Sequence, residues 1–90
     1  EELEDEITAS IAIIYERKIS HGSISEIHHD FGDIISTFLH AHIDENYCLE
    51  VIIVKGDAGT FRKLVDAFHT NENITQLKVS VLEPPKKQTK

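Results

Sequence analysis

Two β-prone runs separated by three turn-forming residues dominate the middle of this chain. Residues 34–43 and 47–55 flank Asp44-Glu45-Asn46 and predict a β-hairpin. With those three residues at the turn, Ile43 pairs with Tyr47, His42 faces Cys48 and His40 faces Glu50. Side chains alternate along a strand, so His40 and His42 share one face. Directly opposed Cβ atoms lie about 5 Å apart, and the diagonal His40–Cys48 pair lies roughly 7–8 Å apart before the side chains reach inward. Two ring nitrogens and one thiolate can therefore converge on a point, which is most of a transition-metal site.

The flanking segments supply the remaining elements. Residues 7–15 are rich in β-branched side chains, with Ile7, Ala9, Ile11, Ile13 and Tyr15 on one face. Arg17 to Gly22 form a connection. Ser23 offers an N-cap hydroxyl with Glu26 three residues on, the pattern of a capping box. Ile24, Ile27 and Phe31 then make the apolar stripe of a short helix, which Gly32-Asp33 breaks. Gly56-Asp57 turns into a second helix with the stripe Phe61, Leu64, Val65 and Phe68. Asn71 to Asn73 end that helix, and Ile74 to Leu82 form the last strand.

The order βαββαβ predicts a ferredoxin-like (ACT-like) α+β sandwich, with two helices on one face of a four-stranded antiparallel sheet. The odd positions Ile35, Leu39, Ile43, Leu49, Val51, Ile53, Leu77, Val79 and Val81 are expected to lie under the helices. The even positions, with His40, His42, Cys48 and Glu50 beside Ile14, Ile34, Phe38, Ile52 and Val54, are then expected on the opposite face. That face is too apolar for free exposure, which predicts packing against another subunit.

Composition narrows the function. Ninety residues allow one domain with a modest core. A net charge of −7 argues against this segment gripping a phosphate backbone. No apolar run is long enough to cross a bilayer, so no membrane partner is expected. The single cysteine excludes an internal disulfide and suits a reducing, cytoplasmic setting, where thiols serve metals or catalysis. The chain has no methionine and opens on an acidic run. Residues 1–6 are therefore expected to be a linker remnant, with a domain cut from the N-terminal side. Residues 7–82 form the folded domain, and residues 83–90 are expected to be a disordered tail.

Three ligands leave a four-coordinate site one short. His28 falls within the angular range of the Ile24-Ile27-Phe31 stripe and is read as an ordinary semi-buried side chain. His29 lies about 100° further round the helix and should protrude from its flank. Sheet and packed helices are separated by about 10 Å, so His29 is expected to complete the site of a neighbouring chain. Blander readings compete. A His-X-His pair on a strand is often solvated, and a lone buried cysteine is often a small hydrophobe. Their union on one inferred face favours a ligand set. Glu50 is expected to orient His40 through its far ring nitrogen. His21 and His69, in a loop and at a helix end, read as solvated.

Three imidazoles and a thiolate suit zinc when tetrahedral and copper or nickel when planar. A fully occupied protein ligand set leaves no position for substrate, which favours sensing over catalysis.

His29, the strand Leu39-His40-Ala41-His42-Ile43, Cys48-Leu49-Glu50 and the Val54-Lys55-Gly56-Asp57 turn together resemble the regulatory domain of the nickel-responsive transcriptional regulators, the NikR family. The resemblance covers about residues 8 to 82. It implies a domain that assembles four chains into a homotetramer. It also implies square-planar Ni(II) held by His40, His42 and Cys48, with His29 donated by another subunit, and a hydrogen-bonding role for Glu50. Family members carry an N-terminal ribbon-helix-helix domain for operator DNA, which nothing before Ile7 could form. The implied function is nickel-dependent repression of nickel-uptake genes. An ACT-like module binding an amino acid or other small molecule at a subunit interface is the alternative. A small zinc enzyme, with Glu50 as its only candidate base, is a third.

Overall fold

The computed structural model describes residues 6–18 and 21–82, and within the first helix the side chains from Ser23 onward. The expected tail, nearly all of the expected linker and part of the first connection lie outside the described residues. Six elements follow in order: β1 (Glu6–Glu16), α1 (His21–Asp30), β2 (Ile35–His42), β3 (Tyr47–Asp57), α2 (Ala58–His69) and β4 (Ile74–Leu82). The strands form one antiparallel sheet in the order β2-β3-β1-β4. This is the expected ferredoxin-like arrangement. The two long strands, β1 and β3, occupy the centre, and the two shorter strands are the edges.

The core lies between the helices and the central strands. Ala9, Ile11, Ile13 and Tyr15 of β1 and Cys48, Ile52 and Val54 of β3 are buried together with Ile24 of α1 and Phe61, Leu64 and Phe68 of α2. Each fully buried aliphatic or aromatic side chain contributes about 1.5–3 kcal/mol relative to exposure. α2 starts sharply because Asp57 caps it: its carboxylate accepts the Thr60 backbone N–H at 2.8 Å and the Thr60 hydroxyl at 3.0 Å. These contacts hold the Asp57 carboxyl below its usual range, the Thr60 backbone bond first among the causes.

The structure corrects the face assignment. The β1–β3 register pairs odd with even residues: Tyr15 with Cys48, Ile13 with Glu50, Ile11 with Ile52 and Ala9 with Val54. The β2–β3 and β1–β4 registers pair like with like, as in His42 with Cys48 and Ile13 with Leu77. The helix-covered face is therefore odd on β1 and β4 but even on β2 and β3. His40, His42, Cys48 and Glu50 lie on the helical side, not the side away from it. The opposite face presents Leu39, Ile43 and Ile53, all exposed, beside the partly buried Ile14, Leu49 and Val51. α2 packs on β1, β3 and β4, which leaves β2 largely uncovered. Phe38, His40 and His42 are exposed for that reason, although they point to the core side.

A second correction concerns α1. The helix begins at His21, so Ser23 lies inside it and is not the N-cap, and His21 is helical rather than in a loop. The Ser23 hydroxyl instead accepts the Asn71 side-chain amide at 3.1 Å, which ties α1 to the turn between α2 and β4.

Candidate metal centre

The hairpin turn is fixed before any ligand is considered. The Asp44 carboxylate accepts the backbone N–H groups of Asn46 at 2.8 Å and Tyr47 at 3.0 Å, an Asx-type turn. The Ile43 N–H reaches the Tyr47 carbonyl at 3.0 Å. Arg17, just past β1, donates its backbone N–H to the Asn46 carbonyl at 2.9 Å. Its guanidinium reaches the Asp44 and Glu45 carbonyls at 3.3 Å each. The expected register follows, with His42 opposite Cys48 and His40 opposite Glu50.

This register brings three donors together. One ring nitrogen from each of His40 and His42 and the Cys48 sulfur all lie within 4.8 Å of one another. The two imidazoles stand almost perpendicular, at 89° with centroids 5.2 Å apart. Both rings are exposed, whereas Cys48 is buried. First-row divalent ions bind imidazole nitrogen at about 2.0–2.1 Å and thiolate at about 2.3 Å. Two such donors on opposite sides of one ion are therefore up to roughly 4.3 Å apart. The 4.8 Å envelope closes to that span by small side-chain rotations, so the donor set fits a nitrogen- and sulfur-loving ion.

The surroundings are polar in a controlled way. Glu50 is only 4% exposed, and its carboxylate lies 2.7 Å from Nε2 of His28. A buried carboxylate needs such a partner, because desolvation without one is costly. The Tyr15 hydroxyl is pushed up to about 12, first by burial, then by the charges of Glu50 and Cys48 and a hydrogen bond with Cys48. The Tyr15 ring also stands 6.4 Å from that of His40. A cavity of about 360 Å³ opens beside the cluster, bordered by Tyr15, Ile24, Ser25, His28, Phe38, His40 and Glu50.

Of the residues picked out from sequence, His40, His42 and Cys48 come together. His29 is exposed near the C-terminal end of α1 and lies outside the cluster of its own chain. Glu50 is near the site, opposite His40 in the hairpin, and the side chain its carboxylate meets is that of His28. The reason is burial: Glu50 points under α1, while the His40 ring stands at the open edge. His28 is half-buried, as its place on the helix predicts, and in addition holds the Glu50 carboxylate. Its place in the Ile24-Ile27-Phe31 stripe already pointed it at the sheet, where a lone carboxylate waited on β3.

Among the described residues, no helix is long and apolar enough to cross a membrane. The fold resembles that of an uncharacterized protein from Thermotoga maritima, with a TM-score of 0.79 at 18% identity over 88% of this chain and all of that one. It also resembles the C-terminal domain of the MgtC protein from Mycobacterium tuberculosis, with a TM-score of 0.62 at 10% identity over 98% of this chain and all of that one. Sequence relatives are closer. A protein of Methanocaldococcus jannaschii is 42% identical over 84 residues, and one of Methanococcus aeolicus 38% over 84, each covering 91% of this chain. One of Dictyoglomus thermophilum is 34% identical over 82 residues and 81% of this chain. All three are provisionally named nickel-responsive regulators, not enzymes. The chain spans about 60% of the length of these relatives (60% of the first two, 61% of the third). The family described as the NikR C terminal nickel binding domain matches residues 8–82, and this chain, with its His40–His42–Cys48 cluster, belongs to that family.

Proposed function

We propose that this domain binds Ni(II) through His40, His42 and Cys48, with His29 of a second copy as the fourth ligand, and acts as the regulatory module of a nickel-responsive repressor. The observation that carries the reading is the convergence of two imidazoles and a thiol within 4.8 Å, in a chain of a nickel-binding family. Four copies form the working assembly in this reading. The exposed apolar face of Leu39, Ile43 and Ile53 supports contact between copies. In a longer cytoplasmic protein, a DNA-binding segment would read the state of this domain and control nickel uptake.

The chain's own residues do the following work. Asp44 and Arg17 hold the turn, so the hairpin presents its donors with little freedom left to lose. Cys48 gives up its thiol proton and both imidazoles act in the neutral form, so binding weakens as pH falls. A bound nickel ion would supply a bridge between donor atoms of two copies. Such a bridge favours the assembled arrangement by RT ln(1 + [L]/Kd), about 2.7 kcal/mol at a hundredfold excess over Kd. The allosteric output is the coupling energy between that arrangement and operator binding.

Titration with nickel, followed by near-ultraviolet absorption, tests the proposal. A thiolate-to-nickel band should saturate at one ion per chain and vanish in Cys48→Ser. Absence of the band from the unaltered protein refutes the metal reading. The cavity beside Glu50 favours a second reading, a small-molecule site. It predicts a ligand-dependent thermal shift that survives Cys48→Ala.

A further inference from the structure

α1 is thinly anchored. Ile24 is its only fully buried apolar side chain among the described residues, with Ile27 partly buried and Phe31 following just past its end. One side-chain tether, Asn71 to Ser23, sits near its beginning. Another sits near its C-terminal end and is the bond between His28 and Glu50. The His28 ring touches both strands of the ligand hairpin. Its Nε2 lies 2.7 Å from the Glu50 carboxylate on β3, and its edge meets Phe38 of β2 with centroids 4.4 Å apart. Glu50 is two residues beyond Cys48, and Phe38 is two residues before His40.

His28 and His29 are adjacent, so a rotation of α1 by one residue, about 100°, brings His29 to the direction His28 takes here. Either ring could in principle serve a buried carboxylate. The structure commits His28 inward and leaves His29 exposed. We infer that His28 is a positioning residue: by engaging Glu50 it sets the rotation of α1, and so holds His29 outward where a second copy can use it. The inference rests on the proposed shared nickel site. Glu50 supplies the discrimination, because a carboxylate buried beside apolar strands strongly disfavours any helix rotation that leaves it unpaired. Without His28, a turn of α1 that brings His29 inward would restore a partner to Glu50, and that imidazole would be lost to the neighbouring copy.

The test measures nickel affinity by the absorption band, and nickel-driven assembly by sedimentation, in His28→Leu, His28→Gln, His29→Ala and the His28→Leu/His29→Ala pair. Leucine fills the volume without a hydrogen bond, and far-ultraviolet circular dichroism checks folding. His28→Leu should weaken nickel binding about 10- to 100-fold, the range for residues that orient metal ligands. His28→Gln should recover most of the loss, because its amide N–H can still reach Glu50. In the His29→Ala background, His28→Leu should change affinity less than about twofold, since its route of action is gone. Unchanged affinity in His28→Leu overturns the assignment, as does a full effect that persists without His29. Should His28→Leu not fold, the comparison passes to His28→Ala paired with Glu50→Gln, which keeps a polar group needing a partner, and with Glu50→Leu, which removes that need. Affinity lost in Glu50→Gln/His28→Ala and regained in Glu50→Leu/His28→Ala supports the inference, and equal affinity in the two pairs overturns it. A missing band in the unaltered protein instead refutes the parent proposal.

Discussion

Replacing Gly56 by alanine offers a quantitative test of how β2 is seated. A Cβ at Gly56 would stand 2.5 Å from Cγ2 and 3.0 Å from Cβ of Ile34. Ordinary carbon contacts begin near 3.4 Å, so something must move by roughly 0.5–1 Å. Ile34 has little room to yield. It is 5% exposed, and its carbonyl accepts the Lys55 backbone N–H at 2.9 Å. Overpacking of this kind costs about 1–3 kcal/mol. With a urea dependence of about 1–1.5 kcal/mol per molar for a domain of this size, the unfolding midpoint should fall by about 0.7–3 M. The cause can be isolated by a cycle. Ile34→Ala alone removes a buried side chain and should cost about 2–5 kcal/mol. In the Gly56→Ala background it also removes the clashing methyl, so its cost should be lower by at least about 1 kcal/mol. Additivity of the two substitutions, or a loss below about 0.5 kcal/mol for Gly56→Ala, would refute the steric argument. Since Ile34 immediately precedes β2, the same substitution should also blur the hairpin that carries His40 and His42.

Tyr15 should ionise near pH 12 in the metal-free protein, read as a tyrosinate absorption step that Tyr15→Phe removes. Its raised value favours the folded state fully below the ordinary tyrosine pKa of about 10, and that advantage is lost as pH rises from there towards 12. Asp57→Ala should lower the thermal midpoint, whereas Asp57→Asn should retain much of the cap. Because the Asp57 carboxyl is held low, its contribution is present above the usual carboxylate range and fades as pH falls through its folded-state value; a midpoint independent of acid pH would contradict this. Leu39→Lys and Ile53→Lys place charge on the uncovered sheet face, and each should reduce the sedimenting mass without changing the circular dichroism spectrum. An unchanged mass would remove that face from the proposed assembly.

The hairpin and its donors were readable from sequence because their information is local. Asp44 makes the turn, the turn sets the register, and the register puts His42 opposite Cys48. The face of the sheet was not readable in the same way. Both faces are apolar, and the deciding fact is the odd-to-even pairing of β1 with β3, two strands separated by a helix and a hairpin. No local pattern carries that parity. The misplaced start of α1 has a similar origin: Ser23 resembles an N-cap, but its hydroxyl is engaged by Asn71, 48 residues away. Glu50 and His28 were each visible alone. Their meeting depended on which side of the sheet α1 covers.

The contrast between the exposed His40 and His42 and a Cys48 that is 4% exposed divides the donors by accessibility. The rings stand at the doorway, while the sulfur sits behind them, sheltered by Tyr15 and the central strands. Oxidants and alkylating reagents attack thiols in proportion to access. A bulky disulfide reagent should therefore modify Cys48 slowly in the native protein and rapidly once urea opens the sheet. The chain thus keeps its one easily damaged donor in reserve behind two that resist such damage.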